Sequence, residues 1–198
     1  MKTTTLKNGQ ILAIAHAAVE DAEQLAEFAN KIKTESKFIT MSEEDGISTA
    51  NSQMKWVQST IDNNKTFIFS AKINGKIVGN GNFGAKSNKI RLAHRCDMGI
   101  SVLKEYWNLG IASEIMKEIV SKAKEAKYEQ IELHVVDTNE SAKYLYTKFG
   151  FYETGYIKNG MKYNDGSYAK LILMQKDLIK TNIILYEFSY FSYRIVFP

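Results

Sequence analysis

RLAHRCDMGISVLKEYWNLGIASEIMKEIVSKAKEAKYEQIELHVV, residues 91–136, is the stretch whose reading decides the fold. Arg91 to Val102 reads as a strand with Asp97 and Gly99 in its middle. A glycine inside a strand points to a bulge or to the close approach of another backbone. From about Gly110 to Ala126 the pattern becomes helical. Ala112, Ile115, Met116, Ile119, Val120 and Ala123 recur on one face, while Lys and Glu fill the other. Gln130 to Val136 is again a strand. Strand, glycine-containing turn, helix and strand make a βαβ crossover, whose two strands lie parallel.

Working outward, Asn139 is expected to cap a shorter helix, Glu140 to Phe149, ended by Gly150, and Phe151 to Lys176 to hold a final strand pair. Upstream, Thr66 to Ile73 alternates, and Asn74-Gly75 leads into Lys76 to Phe83, a hairpin signal. Before it, Gln10 to Ala15 is a short apolar run, and Asp21 with Gln24 resembles a capping box. Ala22, Leu25, Ala26, Ala29 and Ile32 then make one helix. Met54, Trp56, Val57 and Ile61, after a polar loop containing Gly46, make another.

Composition narrows the function classes. A chain of 198 residues, 44% hydrophobic and 24% charged with 12 Gly and 1 Pro, suits one folded domain and excludes disorder. The formal charge of +4 comes from lysines scattered along the chain, so no basic stripe supports nucleic-acid binding. Cys96 is the single cysteine, and no Cys/His cluster has zinc-site spacing; no disulfide and no metal are expected, and a reducing cytoplasm fits. The N-terminus lacks a long apolar region before a cleavage site, so export is not expected. Ile183 to Pro198 is strongly apolar, but shorter than the ~20 residues of a membrane helix and interrupted by Glu187 and Arg194. Its alternation is strand-like, and so much apolar surface is expected to be covered, in this chain or in a homodimer. The expected division is one domain over 1–178 and an apolar aromatic extension over 179–198.

Two segments carry chemistry. In Val102-Leu103-Lys104-Glu105-Tyr106-Trp107-Asn108-Leu109-Gly110-Ile111-Ala112 a strand feeds a glycine at a helix start, where unpaired N–H groups and the helix dipole bind phosphate. Plain turn chemistry alone would leave the same signal. In Asn139 to Phe151, Ala142, Leu145, Tyr146 and Phe149 share a helical face, which by periodicity makes Tyr146 a core aromatic.

Together the segments resemble the motifs of the GNAT N-acetyltransferase superfamily: a Q/R-x-x-G-x-G/A loop, then N-x-x-A-x-x-L-Y-x-K-x-G-F about thirty residues on. Asn139, Ala142, Leu145, Tyr146, Lys148, Gly150 and Phe151 match every fixed position of the second pattern. Gly110 and Ala112 fit the first, but Trp107 stands where the family has Gln or Arg. The resemblance implies an α+β (α/β/α) sandwich whose mixed, mostly antiparallel sheet is splayed between its fourth and fifth strands by a bulge, with helices on both faces.

It further implies that acetyl-CoA, as co-substrate, lies along Ile100, Ser101 and Val102. Its pyrophosphate would rest on Leu109, Gly110, Ile111, Ala112 and Ser113, with Asn139, Ala142, Tyr146 and Lys148 beside the rest of the cofactor. Tyr146 would be the general acid for the leaving thiolate. Asp97, His94 and Glu132 are the candidates for base, Asp97 favoured. The acceptor would be a primary amine of a small molecule or of a peptide N-terminus, attacked without a covalent enzyme intermediate. Arg95 to Ile100, Gly155 to Lys158, Tyr163, Gly166-Ser167-Tyr168 and Met174 are similar to small-amine, amino-acid and ribosomal-protein alanine acetyltransferases, although Lys170 stands where those relatives carry Asp. The rival reading is a non-catalytic acyl-CoA-binding regulatory module.

Overall fold

The computed structural model describes residues 1–61 and 63–179. In chain order the described residues form β1 (Lys2–Thr5), β2 (Ile11–His16), α1 (Ala22–Glu35), α2 (Ala50–Ile61), β3 (Phe67–Ile73), β4 (Lys76–Ala85), β5 (Arg95–Val102), α3 (Ile111–Glu125), β6 (Gln130–Val136), α4 (Glu140–Lys148), β7 (Tyr152–Lys162) and β8 (Tyr168–Asp177). The strands make one sheet in the order β1-β2-β3-β4-β5-β6-β8-β7. Every pairing is antiparallel except β5 with β6, the two ends of the βαβ crossover. Residues 180–198 of the C-terminal extension lie outside the described residues.

The hairpin turn forms where the sequence signals it: Asn74 and Gly75 both take positive φ, 50° and 79°, the geometry that matches strand twist in a two-residue loop. Asp21 does precede α1, but not as a capping box with Gln24. Its carboxylate accepts from the Ala18 amide at 3.1 Å and pairs with Lys72 at 2.5 Å. The strand read from Arg91 begins only at Arg95, because Ile90–Leu92 coils into a 3-10 turn. β1 was not expected, so the splayed pair becomes β5 and β6 rather than the fourth and fifth strands.

Helices cover both faces. Leu25, Phe28 and Ile32 of α1 and Val57 of α2 pack with Ile68, Ile77 and Leu103 on one side. On the other, Ile115, Met116, Ile119 and Ala123 of α3 and Tyr146 of α4 pack with Phe69, Phe83, Ile131, Leu133 and Val135. Gly81 lets α3 lie flush on β4: a Cβ there would stand 2.2 Å from Ile115 Cγ2. α2 buries Val57 and Thr60 while Met54, Trp56 and Ile61 face outward, so its expected apolar stripe is only partly used.

Candidate active site

β5 and β6 begin side by side and then part. Their pairing covers Arg95–Asp97 against Gln130–Glu132 and stops there. Beyond it β5 continues to Val102 on β4, and β6 continues to Val136 on β8. The expected bulge at Gly99 is absent, since β5 keeps one unbroken register with β4 from Cys96 to Val102. The gap opens because pairing ends, not because a residue is inserted.

Hydrogen-bond parity decides which groups face that gap. In an antiparallel ladder alternate residues exchange bonds with the partner strand. Lys86 N donates to Arg95 O and Leu103 N to Val78 O, so Arg95, Asp97, Gly99, Ser101 and Leu103 direct their backbone groups to β4. Met98, Ile100 and Val102 therefore turn theirs toward the gap. Ser101, expected beside the cofactor, spends its amide and carbonyl on Asn80. Asp137 N donates to Lys170 O, so on β6 it is His134 and Val136 that face the gap.

The gap leads to the start of α3. Asn108 and Gly110 both have positive φ, 63° and 92°, which curls successive amides into a concave cradle of the kind that holds anions. Among the described residues the amides of Asn108, Leu109, Gly110, Ile111 and Ala112 find no acceptor, while those of Ser113 and Glu114 bond the Gly110 carbonyl. A Cβ on Gly110 would meet nothing within 4 Å, so the left-handed φ, not crowding, calls for glycine. Trp107 Nε1 donates to the Val102 carbonyl at 2.7 Å.

Across the gap, Asn139 Oδ1 caps α4, accepting from the Ala142 amide and the Ser141 hydroxyl at 3.2 Å each. That leaves only the amide nitrogen of Asn139 for a ligand. Tyr146 packs its ring against Phe151 with centroids 5.8 Å apart, and burial pushes its hydroxyl up to about 12. Ser70 Oγ is the one sealed side-chain polar atom without a partner among the described residues. The Tyr146 hydroxyl bonds no described residue either, yet it is not sealed. Lys148, at the end of α4, is exposed.

Side-chain parity sorts the candidate bases. Leu103 packs with α1, so Asp97, on the same alternation of β5, also faces the α1 side, as do Glu132 and His134 of β6. Asp97 is half exposed and 3.3 Å from Lys86. Burial alone would raise the Glu132 carboxyl, but hydrogen bonds from Arg95 and Lys86 outweigh it and hold the group below the usual carboxylate range. Glu132 is thus occupied as an anion. His94 lies before β5, at the closed end, where its carbonyl accepts from Glu129 and Gln130. His134 was missed: it sits inside the apolar run of β6, yet it is exposed beside the open part of the gap. Lys170 stands 3.7 Å from Asp137, just past the end of β6. On the α1 side a depression of ≈ 620 Å³ lies between the loop after α1 and the β7–β8 hairpin, lined by Glu43, Asp45, Asp165, Lys37, Lys162 and Tyr163 among others.

The residues present fit acetyl-CoA: bare strand edges suit an amide-bearing arm, and the bare amides at α3 suit a pyrophosphate. Comparison with known proteins agrees. Residues 22–151 match the acetyltransferase (GNAT) family. A GNAT-family acetyltransferase from Streptococcus pneumoniae shares 29% identity over 84% of this chain and 99% of its own, with a TM-score of 0.79. A candidate acetyltransferase from Salmonella typhimurium, solved with its cofactor acetyl-CoA, has 15% identity over 86% and 96% at 0.77. A ribosomal-protein-alanine N-acetyltransferase from Brucella melitensis has 20% over 83% and 99% at 0.75. No curated protein matches the chain. No helix among the described residues is long and apolar enough to cross a membrane.

Proposed function

The chain belongs to the GNAT family of acetyl-CoA-dependent acetyltransferases, and we propose that it moves an acetyl group to a primary amine of a small molecule or of a peptide N-terminus. The observation that carries this reading is the parted β5–β6 pair, whose gap-facing backbone groups, the Val102 and Val136 carbonyls apart, are left unpaired among the described residues and run to the bare amides at the start of α3. Ile100 and Val102 hold the arm of the cofactor, Leu109, Gly110, Ile111 and Ala112 its pyrophosphate, and the free amide of Asn139, with Ala142 and Lys148, the opposite side. Bound acetyl-CoA supplies an activated acyl thioester and a thiolate leaving group.

Tyr146 Oη keeps its proton at neutral pH because burial disfavours the phenolate, and so it is stocked as a general acid. Asp97, on the α1 side, accepts the proton that the acceptor amine must lose. His134 shares that face and is the second group able to do so. The depression between the 36–45 loop and the β7–β8 hairpin receives the acceptor. One domain over 1–178, cytoplasmic location and a homodimer belong to the same reading; fractionation and light scattering test the last two.

Release of thiol from acetyl-CoA, measured against amino acids, polyamines, aminoglycosides and short peptides, tests the proposal. Turnover with one class identifies the acceptor. Tight CoA binding with no turnover across the panel would instead support the non-catalytic module.

A further inference from the structure

Trp107 makes a contact that the family pattern does not account for. β5 turns its even-numbered backbone groups toward the gap, and the last of those acceptors, the Val102 carbonyl, is taken by the Trp107 indole at 2.7 Å. Trp107 is followed at once by Asn108 and Gly110, the two residues whose positive φ builds the cradle of bare amides. Its other polar ties among the described residues lie near its start, where Lys104 N donates to Glu35 and Glu105 pairs with Lys31, while Leu109 and Ile111 pack their side chains on the core. The indole bond is therefore the hydrogen bond nearest the cradle that ties the loop to the strand edge.

We infer that Trp107 is a positioning residue that holds the phosphate cradle at a fixed offset from the strand edge, so that a ligand spanning both surfaces meets them already in register. This rests on the reading that acetyl-CoA occupies the gap. It also removes the Val102 carbonyl from use, leaving the arm to Ile100 and the Val102 amide. Fixing two contact surfaces before binding raises affinity for a ligand that needs both and does little for one that needs a single surface.

The test compares CoA with 3′,5′-ADP, which keeps the 3′-phosphate and one phosphate of the pyrophosphate but has no arm, by calorimetry on the full chain. Trp107→Phe keeps the ring and loses the donor; Trp107→Gln restores a donor. Loss of one hydrogen bond that orders the site predicts CoA weakened about five- to tenfold by Trp107→Phe, 3′,5′-ADP changed less than about twofold, and most of the CoA loss recovered by Trp107→Gln. Because the ratio of the two affinities is read within one protein, a general loss of folded protein does not imitate the result. Equal weakening of both ligands, or no change in either, would overturn the tether while leaving the cofactor reading intact. Failure of the unaltered chain to bind either ligand would sink both.

Discussion

Two helices start at the rim of the same gap, and they start differently. α4 begins at Asn139, whose side chain closes over the Ala142 amide and satisfies one of the donors that every helix leaves open. α3 begins at Gly110, with no side-chain cap and with five consecutive amides that find no acceptor among the described residues. An internal cap makes a helix end self-sufficient. An end that is curled into a concave shape but left without a cap is built for an anion that comes from outside. On the proposed reading the contrast divides the labour: α3 would anchor phosphate, and α4 holds Tyr146.

The largest effect should come from the α4 side. Tyr146→Phe removes a proton donor and keeps the packing, so kcat should fall about 100-fold or more with little change in CoA affinity. Steady-state kinetics with a CoA titration checks it; an unchanged kcat would return Tyr146 to the role of core aromatic. On the α3 side, Gly110→Ala places a Cβ in the cradle and forces an L-residue to a left-handed φ, and CoA binding should weaken about tenfold. The thermal midpoint should drop by only a few degrees, since the new Cβ meets no protein atom.

Asn139→Asp sharpens the contrast. It keeps the capping oxygen and loses the amide donor, so the midpoint should hold while CoA weakens about fivefold. Asn139→Ala should instead cost about 1 kcal/mol of stability as well. Finally, burial raises Cys96 from 9.0, and Tyr128 and Tyr146 from 10.0, each to about 12. The unfolded chain loses these protons first. The stability they contribute is complete below the unfolded values and is lost as pH rises through the folded ones. Melts from pH 8 upward should therefore show a midpoint that falls above about pH 9. Within that window, kcat should show no alkaline loss assignable to Tyr146 below its raised value.

Local signals predicted the elements best where one signal dominated. Asn74-Gly75, the helical stripe of Ile115, Met116 and Ile119, and Asn139 before α4 all place their elements within a residue or two. β1 escaped notice because Lys-Thr-Thr-Thr has no apolar alternation; it is a strand only by pairing with β2 at the sheet edge. The apolar stripe of α2 is wider than the face it buries, since periodicity does not say how much of a helix the neighbours cover. The cradle at Gly110 and the cap at Asn139 were both visible as residue types. What spacing could not supply was parity: which of Ile100, Ser101 and Val102 face the gap depends on β4, a strand from another part of the chain. The same gap explains His134, hidden in an apolar run, and the Trp107 bond, which depends on how the loop folds back.

The most direct test of the central claim is the melting of the full chain with and without CoA. At about 100-fold excess over Kd, binding to the parted strands and the α3 cradle contributes about 2.7 kcal/mol, which should raise the midpoint by several degrees, and Gly110→Ala should need about tenfold more CoA for the same rise. No rise at saturating CoA in the unaltered chain would contradict the assignment of this gap as the cofactor site.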